Sequence, residues 1–271
     1  FIERTADIPR AVEDIMVSKT FDYGIVSAAE QFIVVDSKIE REVRAEVIAR
    51  GGYFMSEEES LRLGELFFHS DGHINSQMVG ISAKELAKKA GFSVGDNIRV
   101  LVSEQKYVTK DNPYSKEKLC PVLAYYVEED WMGACEKCIE LILSERHGHT
   151  LVIHSRDEEV IRQFALKKPV GRVLVNTPAT FGSMGATTNL FPAMTLGSGS
   201  AGKGITSENV SPLDLIYVRK VGFGMRKVEA LDATINLGDK GTKTELEKTP
   251  DSSGLKELYS LLKKAMEDIE Q

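Results

Sequence analysis

Two sequence patterns contain residues that could bind a metal or a phosphate. Cys135 and Cys138 form a Cys-x-x-Cys pair, but zinc needs about four ligands and the chain has no second cysteine pair. The pair lies in a predicted helix among apolar residues, which favours buried structural cysteines. Residues 197–204 read G-S-G-S-A-G-K-G, close to a phosphate-binding loop, but Gly204 stands where the motif needs a hydroxyl for Mg²⁺. We therefore predict neither a metal site nor a nucleoside-triphosphate loop.

Two further patterns place a nucleophile and a histidine at predicted turns. Ser27 lies between a predicted helix and a predicted strand, outside any G-x-S-x-G elbow, and a catalytic serine needs a base within hydrogen-bond reach. His147 and His149 lie where a predicted helix turns into a strand, and such turns of α/β sheets can border a ligand crevice. From the residues alone, Ser27 is a loop serine. His149 is a candidate for proton transfer, with a structural role as its alternative.

The elements that must position these residues alternate between helix and strand. Strands that alternate with helices at this spacing predict βαβ units, and so a mainly parallel open sheet with helices on both faces. A Gly-, Ser- and Thr-rich stretch, residues 177–207, has little signal for either element, and long loops of this kind are often functional. The predicted strands are residues 32–36, 98–102, 122–127, 150–154, 173–176 and 215–221, and the predicted helices are residues 8–19, 38–50, 56–69, 83–90, 130–144, 158–166 and 255–269.

The composition excludes several classes of protein. The 271 residues include 34 Lys and Arg against 41 Asp and Glu, a formal net charge of −7, and 42% are hydrophobic. These values are typical of a soluble globular protein and not of a disordered one. No basic stripe indicates nucleic-acid binding, and no apolar run approaches the roughly 20 residues of a membrane helix. Three cysteines are too few for a disulfide framework, which favours the reducing cytoplasm.

Five segments, in order along the chain, resemble the coenzyme A-acylating aldehyde dehydrogenases. The resemblance runs from the first residue to about Arg226. It implies an aldehyde dehydrogenase catalytic domain at residues 1–210, with an N-terminal nucleotide-binding domain absent from this chain. It also implies a C-terminal segment at residues 211–271, with an oligomerisation strand at about 215–221 and a terminal helix. The five segments are residues 3–31, 117–126 (EKLCPVLAYY), 148–155 (GHTLVIHS), 172–178 (RVLVNTP) and 196–209 (LGSGSAGKGITSEN).

The resemblance implies an enzyme that reversibly oxidises a small aldehyde to acyl-CoA. NAD or NADP accepts the hydride, coenzyme A is the co-substrate, and no metal takes part. The family's nucleophilic cysteine corresponds to Ser27 here. A serine hydroxyl is a weaker nucleophile, and its ester is a poorer acyl donor than a thioester. We therefore predict that this form is nearly inactive, through either an engineered Cys-to-Ser replacement or natural loss. The alternative is a non-catalytic paralogue or fragment with an assembly or scaffolding role.

By the same resemblance, His149 assists acyl transfer by moving a proton, and Glu117 contacts the nicotinamide ribose. The remaining expected site residues are Leu196 and Gly197 beside the nicotinamide, and Thr177 and Pro178 in the substrate-pocket wall. We expect a homo-oligomer, a dimer or tetramer, without nucleic-acid or membrane partners. The expected location is the bacterial cytoplasm or a microcompartment lumen. Acetaldehyde, a fermentation substrate, is the first expected aldehyde, but propionaldehyde, succinate semialdehyde and sulfoacetaldehyde stay open. NAD and NADP also stay equally open.

Overall fold

The computed structural model describes residues 1–145 and 148–225, so the helix predicted at 255–269 lies outside the described residues. It divides into a first unit, Phe1–Ile216, and a second that begins at Tyr217. The helices are α1 (Ile8–Thr20), α2 (Glu40–Ala49), α3 (Glu57–Gly64), α4 (Ala83–Lys89), α5 (Trp131–Glu145), α6 (Glu158–Lys167) and α7 (Ala179–Ser183). The strands are β1 (Phe32–Asp36), β2 (Gly52–Phe54), β3 (Val100–Glu104), β4 (Val122–Glu128), β5 (Thr150–Ile153) and β6 (Arg172–Val175).

The six strands of the described residues all pair in parallel. Four form a sheet in the order β1-β4-β3-β2, and β5 pairs with β6. The first three residues connect the two sets, since Ile2 bridges in parallel to both Val35 and His154. The amide of Glu3 donates to the His154 carbonyl at 3.0 Å. The predicted parallel α/β fold is confirmed, and residues 1–3 add an extended segment that the sequence analysis did not predict.

Two hydrophobic clusters cover opposite faces of the four-stranded sheet. Alternate residues of a strand point to opposite faces, and Ile33 and Val35 of β1 pack in one cluster with α1 and α2. Val34 belongs to the other cluster, with residues of α4, α5 and α6. Because both faces are buried, the central strands are continuous apolar runs and lack alternation. This is why β1 and β4 could be located from sequence.

Three segments differ from the sequence-based expectations. The predicted strand at 98–102 begins only at Val100, and the short strand β2 was not predicted. The predicted helix at 56–69 ends at Gly64, because the chain then turns and Phe68 pairs with Ile74 in an antiparallel bridge. In this single chain Pro212–Leu215 is a 3₁₀ turn, and residues 216–225 form neither helix nor strand. The strand expected at 215–221 would pair with a neighbouring subunit, so it stays a prediction.

A helix that crosses a membrane must be long and apolar. Among the described residues, none combines the length and the apolar character that a membrane-spanning segment needs.

Candidate active site

One cavity of about 290 Å³ brings together residues from three distant segments. Ser27, Glu117 and His149 all line it. Ser27 precedes β1, Glu117 precedes β4 and His149 precedes β5, and the loops that enter parallel strands converge on one edge of a sheet. These three residues therefore reach the cavity from the amino-terminal edge, while His154 and Ala179, which follow β5 and β6, line it as well. In many open α/β sheets the ligand crevice lies instead at the carboxyl ends of the strands.

A tight reversal after α1 positions the loop that carries Ser27. Asp22, Tyr23 and Gly24 have positive φ angles of 46°, 50° and 77°. A Cβ atom at Gly24 would lie 2.9 Å from the Cys120 carbonyl, so this close approach requires glycine. The loop is thereby held against the segment that enters β4, and Ser27 itself is exposed.

Glu30 is a second carboxylate in the cavity, and the sequence analysis did not identify it. Its Oε1 accepts a hydrogen bond from the Ala179 amide at 2.9 Å. Its Oε2 is buried and has no hydrogen-bond partner among the described residues. Burial raises the pKa of Glu30 to about 7. The only sequence signal was its place three residues after Ser27. At neutral pH, Glu30 can therefore hold or release a proton inside the cavity.

A buried lysine, Lys19, lies next to the reversal that precedes Ser27. Lys19 is fully buried at the end of α1, and its Nζ has no hydrogen-bond partner among the described residues. Burial lowers the pKa of Lys19 to about 8, partly offset by attraction to Cys120, Glu30 and Glu117. Its place in a helix predicted from apolar spacing gave no signal that the charged end would be buried.

His149 is half-buried and has one hydrogen-bond partner in the described residues. Its Nδ1 lies 2.6 Å from Thr150 Oγ1. Burial lowers the pKa of His149, and the nearby positive charge of Arg172 lowers it further. The preceding residue must be glycine, because a Cβ atom at Gly148 would lie 2.1 Å from the Pro169 carbonyl oxygen. This contact fixes the backbone that places His149 at the cavity.

The other predicted site residues lie near the cavity but are not among its lining residues. Leu196 pairs with Asn209 in an antiparallel bridge, and the Gly197 amide donates to the Glu208 carbonyl at 2.9 Å. Thr177 Oγ1 lies 2.5 Å from Thr187 Oγ1.

Neighbours of these residues do line the cavity. Pro178 is the N-cap of α7, and the next residue, Ala179, borders the cavity with Ser198 and Gly202. The roles expected for Thr177, Pro178, Leu196 and Gly197 stay predictions.

The three cysteines lie in the core. Cys120, Cys135 and Cys138 are all free and buried, and the last two pack in the cluster that contains α5. The prediction that the Cys-x-x-Cys pair is buried in a helix is confirmed. Among residues 1–145 and 148–225, no group of three or more His, Cys, Asp or Glu side chains is arranged to hold a metal.

The fold belongs to the parallel α/β class, and its cavity brings Ser27, Glu117 and His149 together. No family model matches the chain, but curated proteins do. The aldehyde-alcohol dehydrogenase of Streptococcus pneumoniae is 35% identical over 82% of this chain and 26% of its own length. The bifunctional aldehyde-alcohol dehydrogenase of Escherichia coli is 38% identical over 81% of this chain and 25% of its own length. The acetylating succinate-semialdehyde dehydrogenase of Clostridium kluyveri is 31% identical over 82% and 49%.

Solved structures extend the same comparison. A probable aldehyde dehydrogenase from Listeria monocytogenes superposes with a TM-score of 0.81 and 46% identity, over 85% of this chain and 51% of that one. An acetylating aldehyde dehydrogenase from Geobacillus thermoglucosidasius superposes with a TM-score of 0.79 and 39% identity, over 84% of this chain and 50% of that one. The chain spans about half the length of these structures and a quarter of the aldehyde-alcohol dehydrogenases. These similarities confirm the resemblance to the acylating aldehyde dehydrogenases over four-fifths of the chain.

Proposed function

We propose that this chain is the catalytic portion of a coenzyme A-acylating aldehyde dehydrogenase, which converts a small aldehyde to acyl-CoA. The observation that carries the proposal is that Ser27, Glu117 and His149 line one cavity although more than 120 residues separate the first from the last. The relatives' names support it. A propionaldehyde dehydrogenase from Rhodopseudomonas palustris, solved with bound CoA and an acylated cysteine, is 25% identical with a TM-score of 0.64, over 76% of this chain and 46% of that one.

Each lining residue has a role that fits its chemistry. The residue at position 27 attacks the carbonyl carbon, and His149 serves the proton and charge changes of acyl transfer. The Glu117 carboxylate suits hydroxyl donors such as those of a nicotinamide ribose. A volume of about 290 Å³ fits the reacting end of a dinucleotide and an acyl group, but not a whole dinucleotide. The bound nicotinamide would supply the hydride acceptor. Whether it is NAD or NADP stays open.

The substrate class follows from the charges that line the cavity. Glu30 and Glu117 line it, whereas no Lys or Arg is among its described lining residues. A carboxylate or sulfonate on the aldehyde would be repelled and left without a cation partner. We therefore infer a neutral short aldehyde, in contrast to the substrate that the name of the succinate-semialdehyde relative gives.

The test uses acyl transfer alone, which needs an acyl-CoA but no nicotinamide nucleotide. Acetyl-CoA is added to the parent chain and to its Ser27→Cys and Ser27→Ala variants, and the covalent acyl group is measured by mass spectrometry. We expect rapid acylation of Ser27→Cys, little of the parent and none of Ser27→Ala. We also expect succinyl-CoA to react more slowly than acetyl-CoA. If none of the three proteins is acylated at position 27, the proposal fails.

A second candidate function is a non-catalytic assembly role. Two observations favour it. Ser27 replaces the nucleophile that the resemblance implies, and Leu215 and Tyr217 are each 83% exposed, an arrangement suited to association. Light scattering tests it, with Tyr217→Asp as the variant. If the chain has an assembly role, Tyr217→Asp should lose its oligomers and Ser27→Cys should not be acylated. A cytoplasmic or microcompartment location stays a proposal, supported by one relative from a Clostridium phytofermentans microcompartment.

A further inference from the structure

Thr150 connects the candidate catalytic histidine to a buried arginine. Thr150 Oγ1 lies 2.6 Å from His149 Nδ1 and accepts a hydrogen bond from Arg172 Nη1 at 3.4 Å. Thr150 and Arg172 are register partners in the β5–β6 pair. The sheet therefore holds Arg172 beside Thr150. Thr150, the next residue after His149, contacts the imidazole ring.

Arg172 is itself held in place by the loop that follows. Its Nη2 donates to the Ser207 carbonyl at 3.0 Å and to Asn209 Oδ1 at 2.8 Å. Asn209 in turn donates to the Ser183 carbonyl at 2.8 Å. Arg172 is 7% exposed and Asn209 is 7% exposed. The guanidinium group is thus a fixed donor.

One arrangement of the protons gives a partner to every polar group in this chain of contacts. A guanidinium group only donates, so Arg172 occupies a lone pair of Thr150 Oγ1. Oγ1 keeps a second lone pair and a proton, so by itself it can either accept from the His149 ring or donate to it. The arrangement that pairs the hydroxyl proton as well has Thr150 donate to His149 Nδ1, 2.6 Å away. A nitrogen that accepts carries no proton, so the neutral ring carries its proton on Nε2.

We propose that Thr150 and Arg172 are positioning residues that hold His149 as the Nε2–H tautomer, so that it donates a hydrogen bond into the cavity. This inference rests on the proposed function of His149. When the coenzyme A thiolate adds to the acyl carbon, the S–C bond forms and the carbonyl electron pair moves to oxygen. A donor at His149 stabilises that negative oxygen. The pair then returns, the bond to the residue at position 27 breaks, and that residue leaves as the anion.

On this assignment His149 does not remove the thiol proton of coenzyme A. That proton leaves to solvent, since a free thiol has a pKa of roughly 8.5 and is partly ionised at neutral pH. The charged groups around the ring are consistent with a neutral donor. The positive charge of Arg172 disfavours a second proton on the His149 ring. The two carboxylates of the same cavity belong to Glu30 and Glu117. Burial lowers the pKa of Arg172, and the negative charge of Glu208 offsets part of this effect.

The experiment compares Thr150→Val with Thr150→Ser in the whole chain. Valine has nearly the shape of threonine without the hydroxyl, whereas serine keeps the hydroxyl. The chain is labelled with ¹⁵N-histidine, and the His149 ring signals are assigned from the His149→Asn spectrum. We expect the parent and Thr150→Ser to show a proton on Nε2 and a hydrogen-bonded Nδ1. In Thr150→Val the Nδ1 resonance should move to the position of a nitrogen without a hydrogen bond.

Acyl transfer supplies a second readout in the Ser27→Cys background. We expect Thr150→Val to slow acylation about ten- to hundredfold, the cost of a misplaced catalytic group. The half-saturating acetyl-CoA concentration should stay the same, and Thr150→Ser should restore the rate. A proton on Nδ1 in the parent overturns the inference, as does an unchanged Nδ1 resonance in Thr150→Val. If Thr150→Val does not fold, the parent spectrum alone decides.

The two proposals fail separately. An Nε2–H tautomer without acylation in any variant would refute the proposed function and leave the proton assignment intact. Acylation with a proton on Nδ1 of His149 would do the reverse.

Discussion

The buried carboxylate of Glu30 should make the stability of this protein fall between acidic and neutral pH. The residue is only half-buried as a whole, but its unpaired Oε2 is buried, and the pKa is raised from 4.5 to about 7. Between these values the folded chain keeps a proton that the unfolded chain has lost. Stability therefore decreases as the pH rises through this interval, and the loss is complete above about 7.

The size of this loss follows from the shift in the pKa. A rise from 4.5 to about 7 is 2.5 units, and each unit corresponds to about 1.4 kcal/mol, so ionised Glu30 costs about 3 kcal/mol. Glu30→Gln has no such cost. The substitution keeps an oxygen that can accept from the Ala179 amide, so the contact with α7 remains.

Urea unfolding at pH 5 and pH 8 measures the effect. We expect Glu30→Gln to gain about 2.5 kcal/mol of stability relative to the parent between pH 5 and pH 8, slightly less than the full cost because the unfolded carboxyl is already mostly ionised at pH 5. Glu136→Gln, which removes an exposed carboxylate from α5, should show no comparable change. If Glu30→Gln follows the parent within about 0.5 kcal/mol at both pH values, a range usual for surface substitutions, the carboxylate is not desolvated and the reasoning is refuted.

Two further predictions concern buried groups. Phe164 is fully buried and stacks on Phe1 with 4.9 Å between the ring centroids, and Lys168 Nζ lies 3.9 Å from the Phe164 ring centroid. Phe164→Ala should therefore lower the free energy of unfolding in urea by about 3–5 kcal/mol. A loss below about 1 kcal/mol would contradict the packing. For Lys19, whose pKa is lowered to about 8, the unfolded chain holds more protons above that pH, so stability should rise from pH 8 to 10.5. Lys19→Met should lack this rise of about 3 kcal/mol, and an equal rise in both proteins would show that Lys19 is solvated.

The sequence was sufficient for the central strands and insufficient for the short or edge segments. The runs that became β1 and β4 are apolar at nearly every position because helices cover both faces of the sheet. Strand β2 has only three residues, beginning at Gly52, and so has too little pattern to detect. Residues 1–3 pair on both sides, but three residues of mixed polarity carry no periodicity.

The candidate site was predicted as far as single residues and not as far as their environment. The resemblance located Ser27, Glu117 and His149, and the structure brings all three to one cavity. It did not indicate the buried ends of Glu30 and Lys19, because a charged residue has the same letter in the core as on the surface. The contact of Thr150 with Arg172 depends on the register of β5 against β6, which only the folded sheet defines.

The energetics around Ser27 favour the enzyme over the scaffold. Glu30 and Lys19 are both buried without hydrogen-bond partners for Oε2 and Nζ among the described residues, and each shifted pKa corresponds to about 3 kcal/mol of lost stability. A scaffold gains nothing from such groups, whereas catalytic sites commonly retain costly buried charges because those charges do chemistry. The two buried groups thus support the proposed catalytic role of this cavity. A single change at position 27 should therefore be enough to restore acyl transfer.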